Sequence, residues 1–352
     1  MSKSDTIISR KFILSLLAVL TVILFGLDIM LGSVRIPFYE VLKIVTGQKT
    51  DQTAWVFIVE KIRIPKAVTA VLVGCGLSVS GLQMQTLFRN PLAGPAELGI
   101  TAGASLGVAA VMLAGGSSAS MYAIGQLGVT GSWLIILMAS LGSAAVLVCI
   151  LLIAGRVRDH VILLIVGVMI GTITLSVVSI WQYLSRPEQL QAFIMWTFGS
   201  LGGVTQDHLY VLATVVLVGL LLAFISSKSL NALLLGENYA RSMGLTIGST
   251  RLIIMASTSL LTGSITAFCG PIGFIGIAIP HITRAILGTS DHRILIPGTC
   301  LTGTALMLFC DILAQLPGTE SVLPISIVTS LLGAPVVIWV IIRRNNLRSS
   351  FS

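Results

Sequence analysis

The sequence predicts an all-α integral membrane protein, a bundle of about ten transmembrane helices. Three observations predict it. Of 352 residues, 55% are hydrophobic and 10% charged, against about 25% charged in a soluble domain, and mean hydropathy is +1.01. The apolar residues form continuous runs near the ~20 residues that a helix needs to cross a bilayer, not the alternating segments of about 10 residues that build a barrel. The 21 Lys and Arg, set against 13 Asp and Glu, gather at the ends of those runs. High apolar content excludes a disordered chain or a coiled coil, and five cysteines are too few for a disulfide scaffold. Charge runs and aromatic-basic alternation are absent, so nucleic acid is not an expected partner.

The first run, Phe12 to Leu31, follows Arg10 and Lys11. It is too long for a secretory signal and no small-residue cleavage site follows, so it reads as a retained helix. The next runs are Ala67 to Leu87, Leu98 to Leu113, Trp133 to Ala154, Val161 to Leu184 and Leu209 to Ile225. The last four are Leu252 to Phe268, Gly276 to Leu287, Ile294 to Leu316 and Pro324 to Ile342. With an inside start, both termini face the cytoplasm. Arg35, Lys43, Lys49, Lys61, Arg63, Lys66 and Arg186 then fall outside and the more numerous remaining Lys and Arg inside, as the positive-inside rule requires. Gly74, Ser78 and Gly81 in the second helix, and Gly99, Gly103 and Gly107 in the third, read as helix-packing faces. Cys75, Cys149, Cys269, Cys300 and Cys310 lie in or beside apolar runs without metal-type spacing and read as small hydrophobes.

Two segments interrupt the helical pattern. Asn90-Pro91-Leu92-Ala93-Gly94-Pro95 follows the second span, and Cys269 to Gly276, with Gly270, Pro271 and Gly273, follows the seventh. Irregular backbone near membrane depth persists only where protein or water satisfies it. Their placement on opposite sides hints at an inverted repeat. In the fifth helix Thr172, Ser176, Ser179 and Tyr183 recur at helical spacing; such a stripe either lines a passage or bonds to its own backbone and neighbours. Asp28 and Asp311 are costly among apolar residues, and each needs an interface or a partner. A structural hydrogen bond is the expected role of each rather than a proton relay. His160, His208, His281 and His292 are scattered and read as ordinary polar residues. The sequence has no phosphate loop, zinc helix or nucleophile elbow, so no ATP hydrolysis or enzyme activity is expected of the chain itself.

Residues 230–245 are too polar to cross the bilayer. Leu230, Leu233 and Leu234 share one face, and Glu237 with Arg241 has i, i+4 spacing. Such a loop helix lies on lipid or docks into a soluble partner, and its two glycines favour docking.

At these residues the chain resembles the iron-chelate and cobalamin permease family of type II ABC importers. The resemblance rests on Asn90 to Ala102 (NPLAGPAELGITA), Leu230 to Leu245 (LNALLLGENYARSMGL) and Gly270 to Arg284 (GPIGFIGIAIPHITR). Ser290 to Arg293 and Leu323 to Pro335 (LPISIVTSLLGAP) add to it. It spans almost the whole chain, five segments in order. It implies one permease domain over residues 1–352, with a cytoplasmic coupling loop at about 228–248. It also implies a second permease subunit, an identical copy being the simplest, two cytoplasmic ATPases that carry the ATP and Mg, and an external binding protein. The permease itself holds no cofactor and no metal. The resemblance gives an ATPase-coupling role to Leu230, Leu233, Gly236, Glu237, Ala240, Arg241 and Gly244. It gives the inner gate to Asn90, Leu92, His160 and Val161, and binding-protein docking to Arg63 and Lys66. Gly94, Val322 and Gln315 stand where some relatives have charged residues, so Arg186 is an alternative docking cation. The cargo is expected to be an iron chelate, siderophore or haem, ahead of cobalamin. A carrier driven by an ion gradient is the reading from another class.

Overall fold

The computed structural model describes residues 3–48, 50, 52–113, 129–154, 156–157, 160–315 and 322–349. Among these residues seven helices are long and apolar enough to cross a membrane, and Ile100–Met112, Ile275–Leu287 and Ile325–Ile338 are shorter apolar helices. Helix α1 (Lys3–Met30) turns Phe12, Leu16, Val19, Val22 and Ile23 outward, a row that suits lipid and not water. Short α2 (Phe38–Val45), which the sequence pattern does not show as a span, buries Val41 and Ile44 against Ile29, Val59 and Ala67 and exposes Phe38, Tyr39 and Leu42. That two-faced distribution is that of a helix lying at an interface.

Helix α3 (Thr53–Phe57) runs through a π-helical turn, Ile58–Arg63, into α4 (Ile64–Leu87). Pro65 has no N–H to give the preceding turn, and a widened turn is where a helix absorbs that loss. Helix α4 is the central span and is buried on nearly every side. A Cβ at Gly81 would meet the Gly276 backbone, and one at Gly74 the Gly303 backbone, so glycine lets α4 approach its neighbours at backbone contact.

Helix α5 (Ile100–Met112) packs on α6 (Val129–Ala154), where Gly103 and Gly107 lie against Gly142 and Met138. Then come α7 (His160–Leu184), α8 (Pro187–Thr197) and α9 (Gln206–Ile225). The two non-spanning helices α10 (Ser227–Leu235) and α11 (Glu237–Ser242) precede α12 (Ile247–Cys269), α13 (Ile275–Leu287), α14 (His292–Ala314) and α15 (Ile325–Ser349).

Two ends of the bundle follow from the contacts. At the near end Arg10 of α1 bonds to Leu287 O and Gly288 O, and Arg89 after α4 bonds to Leu233 O and Leu234 O of α10. At the far end Arg63 bonds to Ile29 O and Met30 O of α1, Ser200 N to Cys269 O, and Ser326 N to Phe198 O. Helix α4 therefore runs toward the near end and α12 away from it. Each is followed by irregular chain and then by a helix of 13 residues, α5 or α13. At about 1.5 Å per residue such a helix covers roughly 20 Å, too little for a ~30 Å hydrocarbon core. The described residues hold two non-glycine residues with positive φ, Arg89 (φ 50) and Phe274 (φ 66), one in each interruption.

Candidate functional site

The near end carries α10 and α11. The chain turns between them at Gly236, whose φ of 118° and ψ of 150° lie in a region essentially reserved for glycine. Helix α11 ends in a Schellman motif: Leu245 N donates to Ala240 O, Gly244 N donates to Arg241 O, and Gly244 has φ 83°. These two stops fix which side chains face outward. Leu230, Leu233 and Ala240 are buried, whereas Leu235 is 65% exposed and Tyr239 and Met243 each 51%.

This corrects the expected coupling face. Leu230, Leu233 and Ala240 hold the segment to the bundle and do not present themselves to a partner. Leu234, Leu235, Tyr239 and Met243 form the exposed apolar surface. The Glu237–Arg241 pair is also corrected. Glu237 Oε1 accepts from Arg251 Nη2 at 2.5 Å, while Arg241 is exposed. Arg251 lies 7% exposed in α12 and needs a counter-charge there; Glu237, at the first turn of α11, meets it. Arg251 Nη1 also donates to Val157 O at 3.5 Å, ahead of α7.

The expected gate segments lie at the same end. Asn90 Oδ1 accepts from Leu92 N at 3.0 Å, a local turn. His281 Nε2 contacts Pro91 O at 2.7 Å. Leu92 is 40% exposed and Val161 51%; His160 opens α7, and its side chain lies outside those described. Asp291 caps α14 by accepting from Arg293 N at 3.0 Å and receives the Asn231 amide at 2.6 Å. Burial pushes the Asp291 carboxyl up, but these two donors and the Arg293 charge outweigh it and hold the group below the usual carboxylate range. His208, far from this end, packs edge-on against Trp133 at 4.6 Å between ring centres.

The expected docking pair is corrected too. Arg63 is 6% exposed, and its guanidinium donates to Ile29 O, Met30 O and Val34 O. It thereby satisfies carbonyls that the C-terminus of α1 leaves open. Lys66 Nζ lies 3.0 Å from Asp311 Oδ1, and Gln315 Nε2 donates to both Asp28 and Asp311. Of the two carboxylates that the sequence leaves as costly, Asp311 is thus paired with one of the cations it offers for docking, while Asp28 takes the Gln315 amide and Arg63 is spent on carbonyls of α1 and the chain after it. Arg63, Lys66, Asp311 and Gln315 line a far-end cavity of about 450 Å³ together with Phe198, Gly199 and Leu323. Exposed cations at the far end are Arg35, Lys61 and Arg186. Along α7, Thr172, Ser176 and Ser179 each donate to the carbonyl four residues back at 2.9 Å, and Tyr183 is 89% exposed. Their protons are used locally, and the stripe lies on a face that the chain itself leaves open.

The sequence profile of the FecCD transport family matches residues 20–343. The chain belongs to this family. Among its FecCD relatives, the hemin transport system permease protein HmuU of Yersinia pestis is 33% identical over 343 residues, 97% of this chain and 98% of that protein. The vitamin B12 import system permease protein BtuC of Escherichia coli O6:H1 is 36% identical over 283 residues, 80% and 83% of the two chains. A solved structure described as an inward-facing conformation of a metal-chelate type ABC transporter matches with TM-score 0.78 and 27% identity, over 94% of this chain and 99% of that one. The fold is accordingly that of a type II ABC importer permease, and the chain is a transport protein of the membrane. Sequence reasoning places the short helices over 230–245 but misses Leu235, Tyr239 and Met243 as their outward residues. Their signal lies in the helix register, which Gly236 resets and which a single periodicity over 230–245 hides.

Proposed function

We propose that this permease sits in a bacterial cytoplasmic membrane with its near end in the cytoplasm and imports an iron chelate, haem foremost, by alternating access driven by a separate ATPase. The observation that carries the reading is the exposed apolar face of Leu234, Leu235, Tyr239 and Met243 on helices too short to span. Such a face on the water side of a membrane protein fits the cleft of a soluble partner. Two ATPase copies, holding the ATP and Mg, grip two permease copies there. ATP binding draws the motors together, α10 and α11 move with them, and the pair opens on one side while closing on the other. This chain contributes no cofactor and no hydrolysis. The near end carries Arg10, Lys11, Arg89, Arg156, Lys228, Arg241 and Arg293 among others, which supports a cytoplasmic placement by the positive-inside rule.

The second copy covers the open face of α7, so that Thr172, Ser176, Ser179 and Tyr183 line the path between copies. Hydroxyls already bonded to their own helix offer weak acceptors and no tight site, which suits a conduit that must release what enters. The loop with Asn90 and Leu92 and the start of α7 at His160 and Val161 form the inner gate. An external binding protein delivers cargo at the far end, where Arg186, Arg35 and Lys61 present positive charge.

The haem preference rests on a relative that matches over nearly the full length of both chains. Cobalamin is the second reading, because the vitamin B12 relative has the higher identity over a shorter stretch. Proteoliposomes that hold the permease with its ATPase and binding protein test both. Haem accumulation that requires ATP and survives collapse of ion gradients is expected. Uptake by the permease alone, or uptake abolished by an ionophore with ATP present, would overturn the importer reading; preference for cobalamin would move the cargo.

A further inference from the structure

Asn231 sits on α10 with its amide turned toward the start of α14 and away from the docking face. Its Oδ1 accepts from His292 N at 2.8 Å and lies 2.8 Å from His292 Nδ1. An amide oxygen cannot donate, so the ring carries its proton on Nδ1, and in that tautomer Nε2 accepts. The Thr86 hydroxyl lies 2.8 Å from Nε2 and 2.9 Å from Leu82 O of its own helix, and shares its one proton between them. His292 is fully buried and Thr86 1% exposed. Thr86 is on the last turn of α4, three residues before Arg89. Arg89, held at positive φ, returns to α10 by donating to Leu233 O and Leu234 O, each at 3.2 Å. The bonds form a closed ring: α10, Asn231, His292, Thr86, the end of α4, Arg89 and α10 again. The chain leaving that ring is Asn90 to Pro95.

We propose that this ring is the transmission link of the permease: Asn231, His292, Thr86 and Arg89 are positioning residues that carry displacement of α10 into the Asn90–Pro95 loop. The inference rests on the importer reading, since it needs a motor acting on α10. An apolar contact between α10 and α4 would hold equally well but could slide, because dispersion is not directional. Hydrogen bonds between buried groups fix direction and register, and breaking one leaves an unsatisfied polar atom. Helix α10 therefore cannot shift against the end of α4 without either dragging it or rupturing the ring. The strained Arg89 backbone is the joint at which that drag leaves the helix and enters the loop.

The test uses the complete complex in proteoliposomes, with Leu92→Cys as a reporter of the loop read by a membrane-impermeant maleimide, with and without ATP. His292→Phe keeps a ring but removes both bonds, and Thr86→Val keeps volume and removes one. Both are expected to retain the ATPase on purification. Each should lose about five-fold in cargo moved per ATP and in the ATP-dependent change of Leu92→Cys labelling. His292→Gln, which offers one donor and one acceptor, should restore most of the loss. Full transport per ATP in Thr86→Val, or equal losses in His292→Gln and His292→Phe, would overturn the ring as a link and leave the importer reading standing. A parent complex without ATP-dependent uptake would instead bring down the importer reading and the link together.

Discussion

At the far end Lys66 pairs with Asp311, Gln315 donates to Asp28 and Asp311, and Arg63 donates to the carbonyls of α1, joining three spans, α1, α4 and α14. At the near end Asn231, His292, Thr86 and Arg89 join spans to helices that do not span at all. The first set is ionic and buried; the second is built of neutral hydrogen bonds and one arginine on carbonyls. An ion pair out of water tolerates no separation, because each charge would be left without a counter-ion. Neutral bonds are directional, and breaking one costs less than stranding a buried charge. The far end is a clamp, and the near end is where the proposed link joins a non-spanning helix to the spans.

The largest test removes the clamp. Lys66→Met strands the Asp311 carboxylate, 2% exposed, and should destabilise the protein by about 3–5 kcal/mol, seen as a sharp fall in Tm in detergent. The double variant with Asp311→Leu should recover much of that; no recovery would mean that Lys66 acts through something other than its charge. Next, Leu230→Ala should cost about 3 kcal/mol of stability as a buried truncation. Tyr239→Ala should leave Tm unchanged and weaken co-purification of the ATPase about ten-fold. A reversal of that pattern would return the docking face to the buried residues.

The glycine pair sharpens the near end. Gly236→Ala places a side chain in a glycine-only region, 3.2 Å from Arg89 Nη2, and should cost about 1–3 kcal/mol together with transport per ATP. Nothing lies within 4 Å of a Cβ at Gly244, and its φ of 83° is one that asparagine tolerates. Gly244→Asn should therefore transport almost as the parent does. Smallest is Arg186→Glu at the far end, exposed and at the cap of α8. It should slow binding-protein association at low salt and be lost at high salt. An effect that persists at high salt would point to contact rather than steering.

Every span read from the sequence coincides with a helix, α1, α4 to α7, α9 and α12 to α15, because roughly 20 apolar residues in a row have few alternatives. Helices α2, α8, α10 and α11 are short and two-faced, and of these only the α10–α11 segment is legible as a helix, from its leucine spacing and glycine stops. The roles of Arg63 and Lys66 are not legible. A basic pair before a span looks the same in sequence whether it faces water or Asp311.

Transfer of a segment into lipid is a local property, set by the residues of that segment alone, and so the sequence by itself determined the membrane, the apolar helices and the two interruptions. Which charges are hidden and which leucines face out is settled between groups such as Thr86 and His292, 206 positions apart. Only the folded bundle brings them within hydrogen-bonding distance, and a buried polar group takes its role from the partner it finds there.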